Sequence, residues 1–182
     1  PTGIILSGGP ESVTKNNTPR IPEIIFELEI PILGICYGMQ TLAEQYGGQV
    51  TASKTKEFGR APITLDQESI LFDGFEAGSS MNVWMSHGDH VSLLPDQFNL
   101  IASTPSAPIA AMAHSKNPIY AVQFHPEVTH TKEGSIILEN FVFKICKCKA
   151  EWKMENLINQ RILDIKERVG DKKVLLGLSG GV

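Results

Sequence analysis

The sequence predicts an α/β protein: a mostly parallel open sheet with helices on both faces. Three observations carry this expectation. Short apolar runs bounded by turn residues recur along the chain, segments of helical spacing separate them, and the order runs strand, helix, strand, helix. The first strand candidate is "GIILS", Gly3 to Ser7, followed by a weaker helix at "PEIIFEL". The second is "IPILGI", Ile30 to Ile35, and it hands over to "MQTLAEQY", where Met39, Leu42, Ala43 and Tyr46 share one helix face before the Gly47-Gly48 stop. Further strands are predicted at "FNLIAST" (Phe98 to Thr104), "IAAMA" (Ile109 to Ala113) and "IYAVQF" (Ile119 to Phe124). Then "SIILENFVFKI" repeats at helical spacing through Ile137, Phe141 and Ile145.

A break follows Cys148. From Trp152 to Val169 the apolar positions Leu157, Ile158, Ile162, Ile165 and Val169 predict another helix, and "GDKKVLLGLSGG" turns into a new strand and a glycine-rich loop. The expected domains are therefore 1–148 and 149–182. The chain opens on a strand with nothing before it and stops inside the loop, so it reads as an internal fragment, cut short at the N-terminus of its first domain. No repeat or low-complexity tract is visible.

Composition narrows the function classes. A net charge of −4 with 20% charged residues offers no polyanion-binding surface and argues against nucleic acid as a partner. The longest apolar runs, such as "PIYAVQF", fall far short of the roughly 20 residues a membrane span needs, and no charged-then-apolar leader opens the chain. Three cysteines, two of them in "CKC", make no disulfide framework and suit a reducing compartment, so a cytoplasmic location is expected.

The chemistry centres on "LGICYGMQ". Cysteine is often simply buried, so Cys36 could be a core residue. Its flanking glycines, Gly34 and Gly38, also fit a tight strand-to-helix turn of the nucleophile-elbow kind, where neighbouring side chains would crowd the backbone. Such a turn sets the sulfur at a helix N-terminus, which favours thiolate. A second strand ends in His125-Pro126-Glu127. Proline disfavours helix at the preceding residue, so His125 should be extended at a strand end with Glu127 near enough to orient it. A third strand ends in "LSGGP", whose unobstructed N–H groups suit an oxyanion hole; Gly9 and the N–H of Tyr37 are the expected donors. Nucleophile, base and orienting acid thus fall in the order Cys36, His125, Glu127.

Other features carry less. "SHGDH", Ser86 to His90, matches no zinc spacing, and no metal site is expected. His114 and His130 read as solvated or capping residues, Trp84 and Trp152 as packing anchors, and "CKCK" as a helix end.

Taken together, "GICYGMQ", "SGGP" and "VQFHPE" resemble the signature blocks of the class I (triad-type) glutamine amidotransferases, which release ammonia from glutamine. The resemblance spans residues 3 to 127. It implies a flavodoxin-like fold whose first strands this chain lacks, with Cys36 as nucleophile, His125 as base and then acid, Glu127 as its orienter, and Gln40, Ser86, Gly88 and Asp89 gripping glutamine. Within the family, "EFGRA", "VWMSHGDHV" and "FHPEVTHT" look most like the branch whose ammonia aminates XMP to GMP. The tail "LSGGV" resembles the start of an ATP pyrophosphatase phosphate loop, which implies partial ATP binding at Ser179, Gly180, Gly181 and Val182, with ATP and Mg²⁺ serving that partner domain. A homodimer is the implied assembly. The alternatives are a glutaminase serving carbamoyl phosphate, anthranilate or CTP synthesis, or a γ-glutamyl hydrolase-like thiol hydrolase.

Overall fold

The computed structural model describes residues 1–150 and 154–177, with the side chains of 54–56 and 154–156 left undescribed. Two compact units result, Pro1–Cys148 and Lys149–Val182. Ser179 to Val182, the expected phosphate loop, and Trp152 lie outside the described residues.

The first unit is built on a seven-stranded sheet. Its strands are β1 (Ile4–Leu6), β2 (Ile32–Ile35), β3 (Gln49–Leu65), β4 (Ser80–Leu93), β5 (Phe98–Ser103), β6 (Ala111–His114) and β7 (Ile119–Val122), arranged in the order β1-β2-β7-β6-β5-β3-β4. Helices α1 (Glu23–Glu27) and α2 (Tyr37–Gln45) follow β1 and β2, and α3 (Gly134–Glu139) runs directly into a wider π-helical turn, Asn140–Ile145.

The α/β class holds, but the mostly parallel sheet does not. Only the β1-β2 and β2-β7 pairings are parallel; β7-β6, β6-β5, β5-β3 and β3-β4 are antiparallel. Connection length is the reason. Parallel neighbours need a crossover of about a dozen residues or more, and only residues 115–118 join β6 to β7. The long hairpin β3-β4 is also new, since none of the apolar runs predicted as strands covers it. Its inward alternation was present in Met81, Val83 and Met85, all buried, but polar residues, Gly59 and Pro62 break up the apolar signal.

Side chains alternate across the sheet into two cores. Ile32 and Ala121 join Met39 and Leu42 of α2 on one face, while Leu33, Ile35 and Val122 pack with Ile137 of α3 and Phe141 on the other. Helices therefore cover both faces, as expected. In the second unit α4 (Met154–Val169) forms where predicted, with Ile158, Ile162 and Ile165 about half exposed. Lys173–Gly177 are not in a strand. They pair with no neighbour among the described residues, and an apolar run alone does not make a strand. No described helix is long and apolar enough to cross a membrane.

Two glycines let α2 sit tightly on the sheet. A Cβ on Gly38 would lie 2.2 Å from the carbonyl oxygen of Leu6, and one on Gly34 would lie 2.7 Å from Leu42 Cδ1 and 2.9 Å from Met39 N. Backbone cannot yield as a flexible side chain can. Gly38→Ala should therefore cost about 3 kcal/mol, at the upper end for overpacking, and lower the thermal midpoint by about 6 to 12 °C. A midpoint within 2 °C of the parent, on the order of measurement scatter, would show that the helix can move aside.

Candidate active site

The parallel part of the sheet brings the three motifs together. β1, β2 and β7 are neighbours in register, with Leu6 opposite Gly34 and Ile35 opposite Val122. Their carboxyl ends therefore share one edge, and the segments that leave them are Ser7 to Gly9, Cys36, and Gln123 to Glu127. Ligand sites of open α/β sheets form at such edges.

Cys36 occupies the turn between β2 and α2 with φ 51° and ψ −104°. A positive φ is uncommon for a residue with a side chain and costs on the order of 1–3 kcal/mol. Hydrogen bonds on both sides hold it. The Cys36 N–H donates to Val122 O at 2.8 Å, extending the β2-β7 ladder, and the Gln40 N–H donates to Cys36 O at 3.0 Å, starting the helix. The strain thus sits on the cysteine itself, while the flanking glycines supply clearance.

Cys36 is 6% exposed and packs in the core as well as lining a cleft. Burial pushes its thiol up to about 11, and the Glu127 and Asp89 carboxylates add to the rise. The Tyr37 N–H and the Gln123 amide pull the other way. Sequence reasoning expected the helix N-terminus to favour thiolate; here desolvation outweighs it, because the helix end is itself buried. The thiol donates to Ser86 O at 3.7 Å, a contact only the protonated form can make.

His125 and Glu127 meet as expected. The Nδ1 of His125 lies 2.7 Å from Glu127 Oε1. A carboxylate only accepts, so Nδ1 carries the proton and Nε2 is left as the basic nitrogen. That Nε2 is buried without a hydrogen-bond partner. Gly8 packs against both His125 and Cys36: a Cβ there would sit 3.1 Å from His125 Cε1 and 3.6 Å from Cys36 Cβ. Sequence reasoning singled out Gly9 in this turn and passed over Gly8. His125 is also anchored through its backbone. His125 N–H donates to Trp84 O at 3.0 Å, Thr131 Oγ1 donates to His125 O at 2.7 Å, and Trp84 N–H donates to Thr131 Oγ1 at 2.9 Å. Trp84 stacks on His130, with centroids 4.3 Å apart.

Beside Cys36 opens a cleft of about 460 Å³, lined by Gly9, Tyr37, Gln40, Ser86, Gly88 and Asp89 among others. Both expected oxyanion residues and all four expected glutamine-binding residues therefore face one space. Gln40 is 3% exposed, and its amide nitrogen donates to Asp89 O at 2.8 Å and to Gln123 Oε1 at 3.3 Å. The Asp89 carboxylate accepts from Ser12 Oγ.

Three contributors escaped the sequence reading. Gln123, fully buried, points its amide nitrogen at Cys36 Sγ, 3.7 Å away. His87, also in the cleft wall, lies 3.0 Å from Glu57 Oε2, and burial holds it below the ordinary histidine range against the pull of that carboxylate. Phe58, 69% exposed, lines the cleft from β3. His87 and Glu57 are 30 residues apart in sequence and face each other only through the unpredicted hairpin. Elsewhere, His114 Nδ1 accepts from the N–H groups of Lys116 and Asn117, the capping role expected of it.

A family profile described as "Glutamine amidotransferase class-I" matches residues 1–145. Among curated proteins, the chain is 56% identical over 181 residues to a GMP synthase [glutamine-hydrolyzing] of Psychrobacter arcticus, covering 99% of this chain and 34% of that protein. It is 53% identical over 188 aligned positions to the protein of the same name in Hamiltonella defensa, covering 100% of this chain and 36% of that one. The chain thus spans about a third of the length of these relatives. A crystal structure from Thermoplasma acidophilum, of a protein assigned provisionally to GMP synthase, superimposes with a TM-score of 0.66 at 34% identity, over 87% of this chain and 76% of that one.

A thiol raised to about 11 from 9.0 holds about a hundredfold less thiolate at neutral pH. Alkylation of Cys36 by iodoacetamide, followed on its own peptide by mass spectrometry, should accelerate about tenfold per pH unit from about 7 to 10. A plateau below about pH 9 would mean the resting sulfur is already ionised.

Proposed function

The chain belongs to the class I glutamine amidotransferases, and from that premise we propose that it hydrolyses glutamine through a γ-glutamyl thioester on Cys36. The released ammonia, in this proposal, goes to the ATP-dependent amination of XMP to GMP within a longer protein. One observation supports the hydrolytic reading above the others. A cysteine held in a strained strand-to-helix turn lies across Gly8 from a histidine whose Nδ1 is fixed by a carboxylate.

The chemistry follows from those positions. As glutamine's side-chain amide enters the cleft, the thiol proton passes to His125 Nε2 and the sulfur attacks the amide carbon. The oxygen gains charge beside the N–H groups of Tyr37 and Gly9, an arrangement in which one donor is typically worth about 3 kcal/mol. The imidazolium protonates the departing nitrogen, ammonia leaves, and the same histidine then draws a proton from water to open the thioester. Asp89 lines the cleft, and its carboxylate suits a substrate that carries an ammonium group.

The XMP-aminating assignment is supported by whole-chain identity above 50% to proteins named GMP synthase. ATP and Mg²⁺ would serve that second reaction, and a cytoplasmic homodimer is the assembly we propose for the longer protein.

In the intact protein, Cys36→Ala should abolish glutamine-dependent synthesis while leaving ammonia-dependent synthesis near the parent rate. Retention of glutamine-dependent activity would overturn the assignment of the nucleophile. Glu127→Gln should lower kcat for glutamine hydrolysis by about one to two orders of magnitude, toward the low end for acid–base groups. The Glu127 side chain is 44% exposed, so water can partly replace it.

A further inference from the structure

Beside the thiol runs a short chain of side-chain amides that begins at the cleft wall. The amide nitrogen of Gln40 donates to Asp89 O at 2.8 Å and to Gln123 Oε1 at 3.3 Å. With its oxygen engaged by Gln40, the Gln123 amide can point only its NH₂ group onward, and that group lies 3.7 Å from Cys36 Sγ. Gln123 is fully buried at the end of β7, so no water competes for either end of the amide. A buried amide is kept there only if its hydrogen bonds are made. Here one of those bonds ends on the reacting atom.

We propose that Gln123 is a catalytic residue of this site, a fixed donor that stabilises the Cys36 thiolate once the thiol proton has moved to His125. The need for such a donor is plain from the surroundings. The Glu127 and Asp89 carboxylates both oppose a negative charge on the sulfur. His125 lies across Gly8, and Ser86 O faces the sulfur as an acceptor. Apart from the imidazolium formed by the transfer itself, the groups shown to favour thiolate are the Tyr37 N–H and the Gln123 amide. In acyl transfer the Tyr37 N–H is also wanted by the substrate oxygen. Gln123 is fully buried, and its amide nitrogen has Cys36 Sγ as its one hydrogen-bond partner among the described residues.

The amide chain also ties this donor to the cleft wall. Asp89 and Gln40 both line the cleft, and Gln40 sets the orientation of Gln123. A ligand that shifts Asp89 therefore acts on the thiol through two amides.

The test uses the intact protein and two apolar replacements of similar size, Gln123→Met and Gln123→Leu, with iodoacetamide as the probe of Cys36. Hydrogen bonds to charged groups are worth enough that both variants should alkylate about tenfold more slowly at fixed pH, with the rate profile displaced about one unit upward. A purely structural role predicts the opposite. Loosened packing would open up Cys36, a residue now 6% exposed, and speed the reaction. Rates within about twofold of the parent, or faster, would overturn the proposal. The inference rests on the hydrolytic reading only for the identity of the nucleophile. Alkylation reports on the thiol whether or not glutamine is the substrate, so its failure is distinguishable from loss of that reading in Cys36→Ala.

Discussion

The site depends on the backbone of one residue. Cys36 must end a strand and begin a helix within a single step, and its φ of 51° is what that reversal demands. Neither neighbour can relax it. The N–H is locked into the β2-β7 ladder by Val122 O, and the C=O is locked into the first turn of α2 by the Gln40 N–H. A conformation costing on the order of 1–3 kcal/mol persists because two regular elements over-determine it. The helix can follow so closely only because Gly34 and Gly38 leave room where any Cβ would strike backbone or Leu42.

That placement creates an electrostatic conflict. The same close packing that aims the sulfur also removes it from water, and removal from water favours the neutral thiol. Burial dominates over the helix end and the nearby donors, so the resting state is protonated. A protonated sulfur is a poor nucleophile toward adventitious electrophiles. It becomes a good one only when a base takes its proton, and the only described imidazole against Gly8 with a carboxylate-fixed Nδ1 is His125.

Much of this was legible in the chain because it is local. Apolar runs bounded by turn residues mark strands, and five such runs became β1, β2, β5, β6 and β7. Residues at the ends of β1, β2 and β7 met because those three strands are parallel neighbours. What stayed hidden was non-local. The Glu57 and His87 pair exists only through a hairpin whose strands carry polar residues on one face, a pattern that apolar-run reasoning discards. Gln123 was hidden differently. In "YAVQFHPE" it reads as the polar position of a strand, and only its complete burial reveals that it faces the core. Gly8 and Gly9 are indistinguishable as sequence; packing against His125 and Cys36 on one side, and Tyr37 on the other, assigns them separate places.

The mixed sheet divides the labour of the site. Its parallel third brings Cys36 and His125 together, because parallel strands present their carboxyl ends together. Its antiparallel part supplies the wall, because a long hairpin can project past the sheet and fold Ser86 to Asp89 over the sulfur. Hydrogen bonds join the two at the places where chemistry needs register: Cys36 to Ser86 O, Gln40 to Asp89 O, and His125 N–H to Trp84 O. Each of these links a motif on the parallel strands to β4. A displacement of β4 by one residue would exchange its inward and outward side chains and break all three. The buried alternation of Met81, Val83 and Met85 therefore does more than fill the core, since it fixes the register that holds Ser86 against the thiol.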